Sequence, residues 1–144
     1  MKAENKVKLT FPSYSSNEAF ARGAVAAFLA RYDPTLPQLA DIKTAVSEAV
    51  TNCIVHAYPD SLGTVTMTLS YFPDRHVRIL IADQGVGIPD VAKAMEALYT
   101  TGNPDERSGL GFTVMQNFMD TVRVSSREGR GTRVSMTKRL TART

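Results

Sequence analysis

From Thr64 to Tyr71 the chain alternates without a break: Val65, Met67, Leu69 and Tyr71 fall on one side, and Thr64, Thr66, Thr68 and Ser70 on the other. Period-two alternation makes a strand with one apolar and one polar face, which needs cover on one side only. Pro73-Asp74 turns the chain, and Val77 to Ala82 follows as a second strand, so the two read as a hairpin. Lys6 to Phe11 predicts an earlier strand ending at Pro12. Val122–Ser126 and Thr132–Leu140 predict a last hairpin around Glu128-Gly129-Arg130-Gly131. Helical patterns cover Glu18–Arg31, about Gln38 to Ala57, and Phe112–Met119; the first two are separated by Asp33-Pro34-Thr35-Leu36-Pro37. The order is strand, two helices, two strands, a long loop, helix, two strands. Clustered runs of this kind predict an α/β (α+β) two-layer sandwich, with a mixed, mainly antiparallel sheet and helices on one face.

A chain of 144 residues, 43% hydrophobic and 22% charged, suits one globular domain with a real core. It has no apolar run of about 18 residues and no signal-peptide core near Met1, so the expectation is a cytoplasmic protein without a membrane role. The one cysteine, Cys53, excludes an internal disulfide and falls among apolar helix positions, where it acts as a small hydrophobe. The net charge is only +3, but Arg123, Arg127, Arg130, Arg133, Lys138, Arg139 and Arg143 crowd the C-terminal end. Such an end can bind nucleic acid or an acidic partner, and it is more often a solvated strand face and tail. No aromatic residue interleaves it, and no direct nucleic-acid role is expected.

The helix from Gln38 to Ala57 carries the first candidate chemistry. Glu48, Asn52 and His56 follow one another at intervals of four, which places a carboxylate, an amide and an imidazole on one helix face. Ile42, Ala45, Val46, Ala49, Val50, Cys53 and Ile54 fill the opposite arc and suit a core contact. Asn is a poor helix-interior residue because its side chain competes for the backbone. An ordinary amphipathic helix with a polar outer face would also look like this.

Three glycine-bearing pieces follow. Asp83-Gln84-Gly85-Val86-Gly87 ends a strand; its carboxylate can accept a hydrogen bond from an exocyclic amine, and its glycines let backbone pass close to a ligand. A tight turn has the same look. Ser108-Gly109-Leu110-Gly111-Phe112 opens a helix whose free N–H groups suit an anion. Gly131-Thr132 lies in the last hairpin. Between the first two pieces, Asp83 to Gly111 is rich in Gly, Pro, Thr and Ser, with at most a short helix near Val91 to Leu98, and a loop of that length is usually functional or mobile.

Each piece is weak alone; their order and spacing resemble the ATPase fold shared by gyrase, the large heat-shock chaperone, histidine kinases and mismatch-repair ATPases. Within that group the phrases Ala45-Val-Ser-Glu-Ala-Val-Thr-Asn52, Gly85-Val-Gly-Ile-Pro-Asp90, Glu106-Arg-Ser-Gly-Leu-Gly-Phe112 and Met115-Gln-Asn-Phe-Met-Asp120 are similar to the small bacterial anti-sigma serine kinases, particularly the anti-sigma-F family. The resemblance implies ATP and Mg²⁺ as cofactors. Asp83 would take the adenine amino group, with Thr132 nearby and Gly85 and Gly87 shaping the loop. Asn52 would be the Mg²⁺ ligand. Gly109, Leu110 and Gly111 would hold the phosphates, and Glu48 would be the catalytic base. Tyr99 to Ser108 would be a mobile lid, bringing Thr100, Thr101, Arg107 and Ser108 to the nucleotide. Gly102 follows the paired threonines where this family often has Lys, and Gln84 stands where an acidic residue is common. The implied partners are a sigma factor, an anti-anti-sigma substrate and a second copy in a homodimer, with Arg22 as a partner contact. His56 would support by hydrogen bonding. A stress-response anti-sigma kinase, a histidine-kinase catalytic domain and a non-catalytic nucleotide-dependent binding module are the rivals; the second lacks a phosphoacceptor hairpin in this sequence.

Overall fold

A computed structural model of the protein describes residues 1–95 and 108–141. The elements are β1 (Asn5–Pro12), α1 (Asn17–Ala30), α2 (Leu36–Asn52) running into a π-helical turn (Cys53–Ala57), β2 (Thr64–Tyr71), β3 (His76–Asp83), α3 (Val91–Ala94), α4 (Ser108–Phe118), β4 (Thr121–Arg127) and β5 (Gly131–Arg139). The sheet order is β1-β2-β3-β5-β4, and all four of these pairings are antiparallel. The expected two-layer sandwich is thus present, with a sheet that is wholly antiparallel among the described strands where the sequence predicts a mixed, mainly antiparallel one, and the elements lie close to where the periodicities put them.

Two differences have physical causes. Helix α2 starts at Leu36, not Gln38, because Pro37 sits in the first turn, where its missing N–H costs nothing. Thr35 closes that start as a capping box: its hydroxyl accepts from the Gln38 N–H at 3.2 Å, and the Gln38 side chain accepts from the Thr35 N–H at 3.2 Å. At its other end the helix widens into the π-turn at Cys53, so the regular 3.6 spacing stops at Asn52.

Register sets which face is covered. Leu9 opposes Met67, Met67 opposes Ile81, and Ile81 opposes Val134, so these side chains share the face beneath the helices. Met67, Ile79, Ile81 and Met136 are fully buried there with Ile42, Val46 and Val50 of α2 and Phe112 and Met115 of α4. Each such side chain contributes about 1.5–3 kcal/mol by leaving water. Helix α2 is therefore pinned along its length, and its C-terminal turn is held over the end of β3.

The capping box should be worth what such caps usually are. Thr35→Ala should lower unfolding free energy by about 1 kcal/mol in urea denaturation, with an unchanged m-value.

Candidate nucleotide site

The site is assembled where the end of α2, the loop after β3 and the start of β5 meet. Asp83 closes β3 and is buried. Its Oδ1 accepts backbone N–H bonds from Gly85 at 2.9 Å and from Thr132 at 3.2 Å, which ties the loop to β5. Its Oδ2 accepts from the Cys53 thiol at 3.4 Å. Burial first, then the Asp83 charge and that hydrogen bond, push the Cys53 thiol well above its ordinary pKa. Cys53 is thus a neutral packing group, as its place in the helix suggests.

The loop after Asp83 is clasped on both sides. The Val86 N–H donates to the Ala57 carbonyl at 3.0 Å, and the Gly129 N–H donates to the Val86 carbonyl at 2.8 Å. A Cβ at Gly85 would overlap the Ala57 carbonyl, and one at Gly87, whose φ is +79°, would overlap the Arg127 carbonyl. Both glycines are required by close approach of the loop to its own neighbours. Tyr58 adds a strut: its hydroxyl accepts from the Gln84 N–H at 2.7 Å and donates to the Thr64 carbonyl at 2.8 Å. Ser126 on β4 adds another, accepting from the Ile88 N–H at 2.7 Å and lying 2.8 Å from the Thr132 hydroxyl.

Beside this clasp lies a cavity of about 200 Å³. Ala49, Ile88, Pro89, Phe112 and Val134 give it apolar walls, and Asp83, Thr132, Asn52 and His56 supply its polar groups. An apolar slot with a few placed polar groups suits a flat heterocycle. Asn52 reaches it with both amide atoms buried and without a hydrogen-bond partner among the described residues. A buried amide in that state costs stability unless a ligand completes it. The first turn of α4 lies over the same place: a Cβ at Gly111 would stand 3.3 Å from both Asn52 Nδ2 and Glu48 Oε2. Glu48 and Asn52 therefore sit side by side under the start of α4.

Most of the expected site residues are thus brought together. Asn52, Asp83, Gly87 and Thr132 line the cavity, Gly111 and Glu48 adjoin it, and Gly85 stands behind it against Ala57. Ser108, Gly109 and Leu110 begin α4. Thr100, Thr101 and Arg107, with the rest of the expected lid before Ser108, lie outside the described residues. Arg22 is elsewhere, on α1: its Nε is 2.8 Å from Glu18 Oε1, and Glu18 also accepts from the Ser47 hydroxyl of α2. Sequence reading missed Ser126, Tyr58 and the cavity walls. No local signal marks Ser126, whose contacts arise from strand register.

The asparagine also bears on a metal. Among the described residues no three His, Cys, Asp or Glu side chains converge. An ion here would draw most of its ligands from phosphate and water, which fits Mg²⁺ beside a single amide oxygen.

The family model for the histidine kinase-like ATPase domain matches residues 11–138. The fold agrees with that class. The RsbU and RsbW domains of a Mycobacterium tuberculosis protein superpose with a TM-score of 0.70 at 20% identity, over 94% of this chain and 32% of that one. A histidine kinase domain from Erythrobacter litoralis gives 0.58 at 22% identity, over 97% and 65%. These two speak for the fold. In sequence, the anti-sigma F factor of Caldanaerobacter subterraneus is 54% identical over 96% of both chains, and that of Clostridium acetobutylicum is 49% identical over 95% of both. The chain belongs to the anti-sigma F factor family of histidine kinase-like ATPases. Among the described residues no helix is long and apolar enough to cross a membrane.

Asp83 offers a direct test of the pocket. Asp83→Asn keeps the shape but weakens acceptance from two N–H groups and from an incoming amine. Calorimetry should show ATP binding weaker by about 1–3 kcal/mol.

Proposed function

We propose that this chain binds ATP with Mg²⁺, captures a sigma factor, and transfers the terminal phosphoryl group of ATP to a serine of an anti-anti-sigma protein. The observation that carries the reading is that Glu48 stands beside the amide of Asn52, which has no partner among the described residues, beneath the first turn of α4. Asp83 and Thr132 would read the adenine edge at the far end of the cavity. The backbone N–H groups of Gly109, Leu110 and Gly111 would receive the phosphates, as free groups at a helix start do. Asn52 would hold Mg²⁺ through its amide oxygen, and the ion would supply neutralisation of phosphate charge. Thr100, Thr101, Arg107 and Ser108 would close over the triphosphate.

Glu48 would accept the proton of the serine hydroxyl as its oxygen forms a bond to phosphorus and ADP leaves. Phosphoryl transfer asks chiefly for positioning and charge neutralisation, so one base suffices. Arg22 would contact the partners. Its side chain is 42% exposed, and Glu18 holds the guanidinium at Nε (2.8 Å) and at one terminal nitrogen (3.2 Å), which fixes the direction in which it would meet a partner. The protein would act as one domain, in a homodimer, in the cytoplasm. The serine-kinase reading is preferred over a non-catalytic module because a carboxylate beside the amide has no evident task in binding alone.

The test separates the two neighbours. Glu48→Gln should bind ATP nearly normally and still capture the sigma factor, while single-turnover phosphorylation of the antagonist falls by about 10²–10⁴-fold. Asn52→Ala should lose Mg-dependent ATP binding itself. Transfer by Glu48→Gln at the wild-type rate would leave Glu48 as an orienting group only.

A further inference from the structure

The outward face of the sheet takes no part in the nucleotide site. Register places Lys6 and Lys8 of β1, Arg78 of β3, Arg133 of β5, and Arg123 and Arg127 of β4 on it together. Lys8, Thr68, Leu80, Ser135 and Arg123 form one continuous row across the five strands. All six cations are exposed. Among the described residues none of the six pairs with a carboxylate; Arg78 lies over the Phe72 ring at 5.0 Å. Of the carboxylates bordering the face, Asp74 is taken by Arg139 at 2.8 Å and by His76, and exposed Glu4, just before β1, pairs with none of the six cations among the described residues. With the six set aside, the remaining 11 basic residues of the chain stand against 14 acidic ones. The positive excess therefore belongs to this face, and the rest of the chain is net negative.

Lysine and arginine on β1 and β4 also deter edge-to-edge pairing. Arg78 and Arg133 have no edge to guard, because β3 and β5 are interior strands. The cationic area is broad. Four strand spacings make it about 19 Å across, with short Ser and Thr side chains between the charges. Single-stranded nucleic acid is held in a groove with exposed aromatic rings for stacking. Here the Phe72 ring is buried, beneath Arg78 and His76. Arginine forks bind carboxylates in bidentate fashion, as they do phosphates, and a face without exposed rings gives bases nothing to stack on.

We infer that the outward face of the sheet is a docking surface for an acidic protein surface, on the opposite side of the sheet from the nucleotide cavity. It can be engaged with the cavity filled or empty, and it does not depend on the kinase reading.

The test uses the triple variant Arg78→Thr, Arg123→Thr and Arg133→Thr, since Thr suits strands and already populates this face. The probe is a short fluorescein-labelled polyglutamate, followed by anisotropy at low ionic strength. Wild-type protein should bind it, lose it as salt rises, and bind at least about tenfold more tightly than the variant. Lys43→Gln, on the helix side, should bind as wild type, and matching unfolding midpoints should confirm that the triple variant is folded. Equal binding by wild type and triple variant, or no binding by either, overturns the inference. So does a preference for duplex DNA or anionic vesicles over polyglutamate that the same three substitutions abolish.

Discussion

The site depends on one buried carboxylate. Asp83 holds the Gly85 and Thr132 N–H groups on a single oxygen, so the end of β3, the loop beyond it and the start of β5 share one fixed point. Hydrogen bonds to a charged acceptor contribute about 1.5–3 kcal/mol, roughly twice a neutral pair. The Val86–Ala57 and Gly129–Val86 backbone bonds then lock the same loop between the π-helical turn after α2 and the last hairpin. With the loop immobilised on both sides, the cavity has rigid walls at one end. Its other end is formed by the start of α4, from Glu48 and Asn52 onward.

Much of this architecture was legible from periodicity. The Thr64–Tyr71 alternation fixed which residues of β2 face the helices, and the partners of Val65, Met67 and Leu69 on β1 and β3 follow from register. The i, i+4 spacing of Glu48 and Asn52 predicted their shared face, and the close approach of both to Gly111 bears it out. The π-turn was not legible, because Cys53 to Ala57 carry residues that fit an ordinary helix equally well. Ile88, Pro89 and Val134 were not recognised as cavity walls, since an apolar residue reads as core whether or not it borders an empty space.

The C-terminal basic cluster shows what a linear count conceals. Lys138 turns beneath the helices to within 3.6 Å of Asp41, and Arg139 is paired with Asp74. Arg123, Arg127 and Arg133 instead face outward and join Lys6, Lys8 and Arg78 from distant parts of the chain. Strand pairing divides one run of charge and assembles another. The glycines carry a similar lesson: a Cβ at Gly85 or Gly87 would meet the protein's own carbonyls, while Gly87 also lines the cavity.

The partnerless amide of Asn52 has a consequence for the lifetime of the protein. A buried polar group left without a partner costs about 1–3 kcal/mol, so the Asn52 amide, with both polar atoms buried and no partner among the described residues, favours a ligand that completes it. A ligand that completes the amide has that gain within its dissociation constant, and at a hundred times that constant it stabilises the fold by about 2.7 kcal/mol in all. On the proposed reading that ligand is ATP with its metal. The loaded protein would then unfold less often than the empty one, and resistance to proteolysis would follow occupancy of the site.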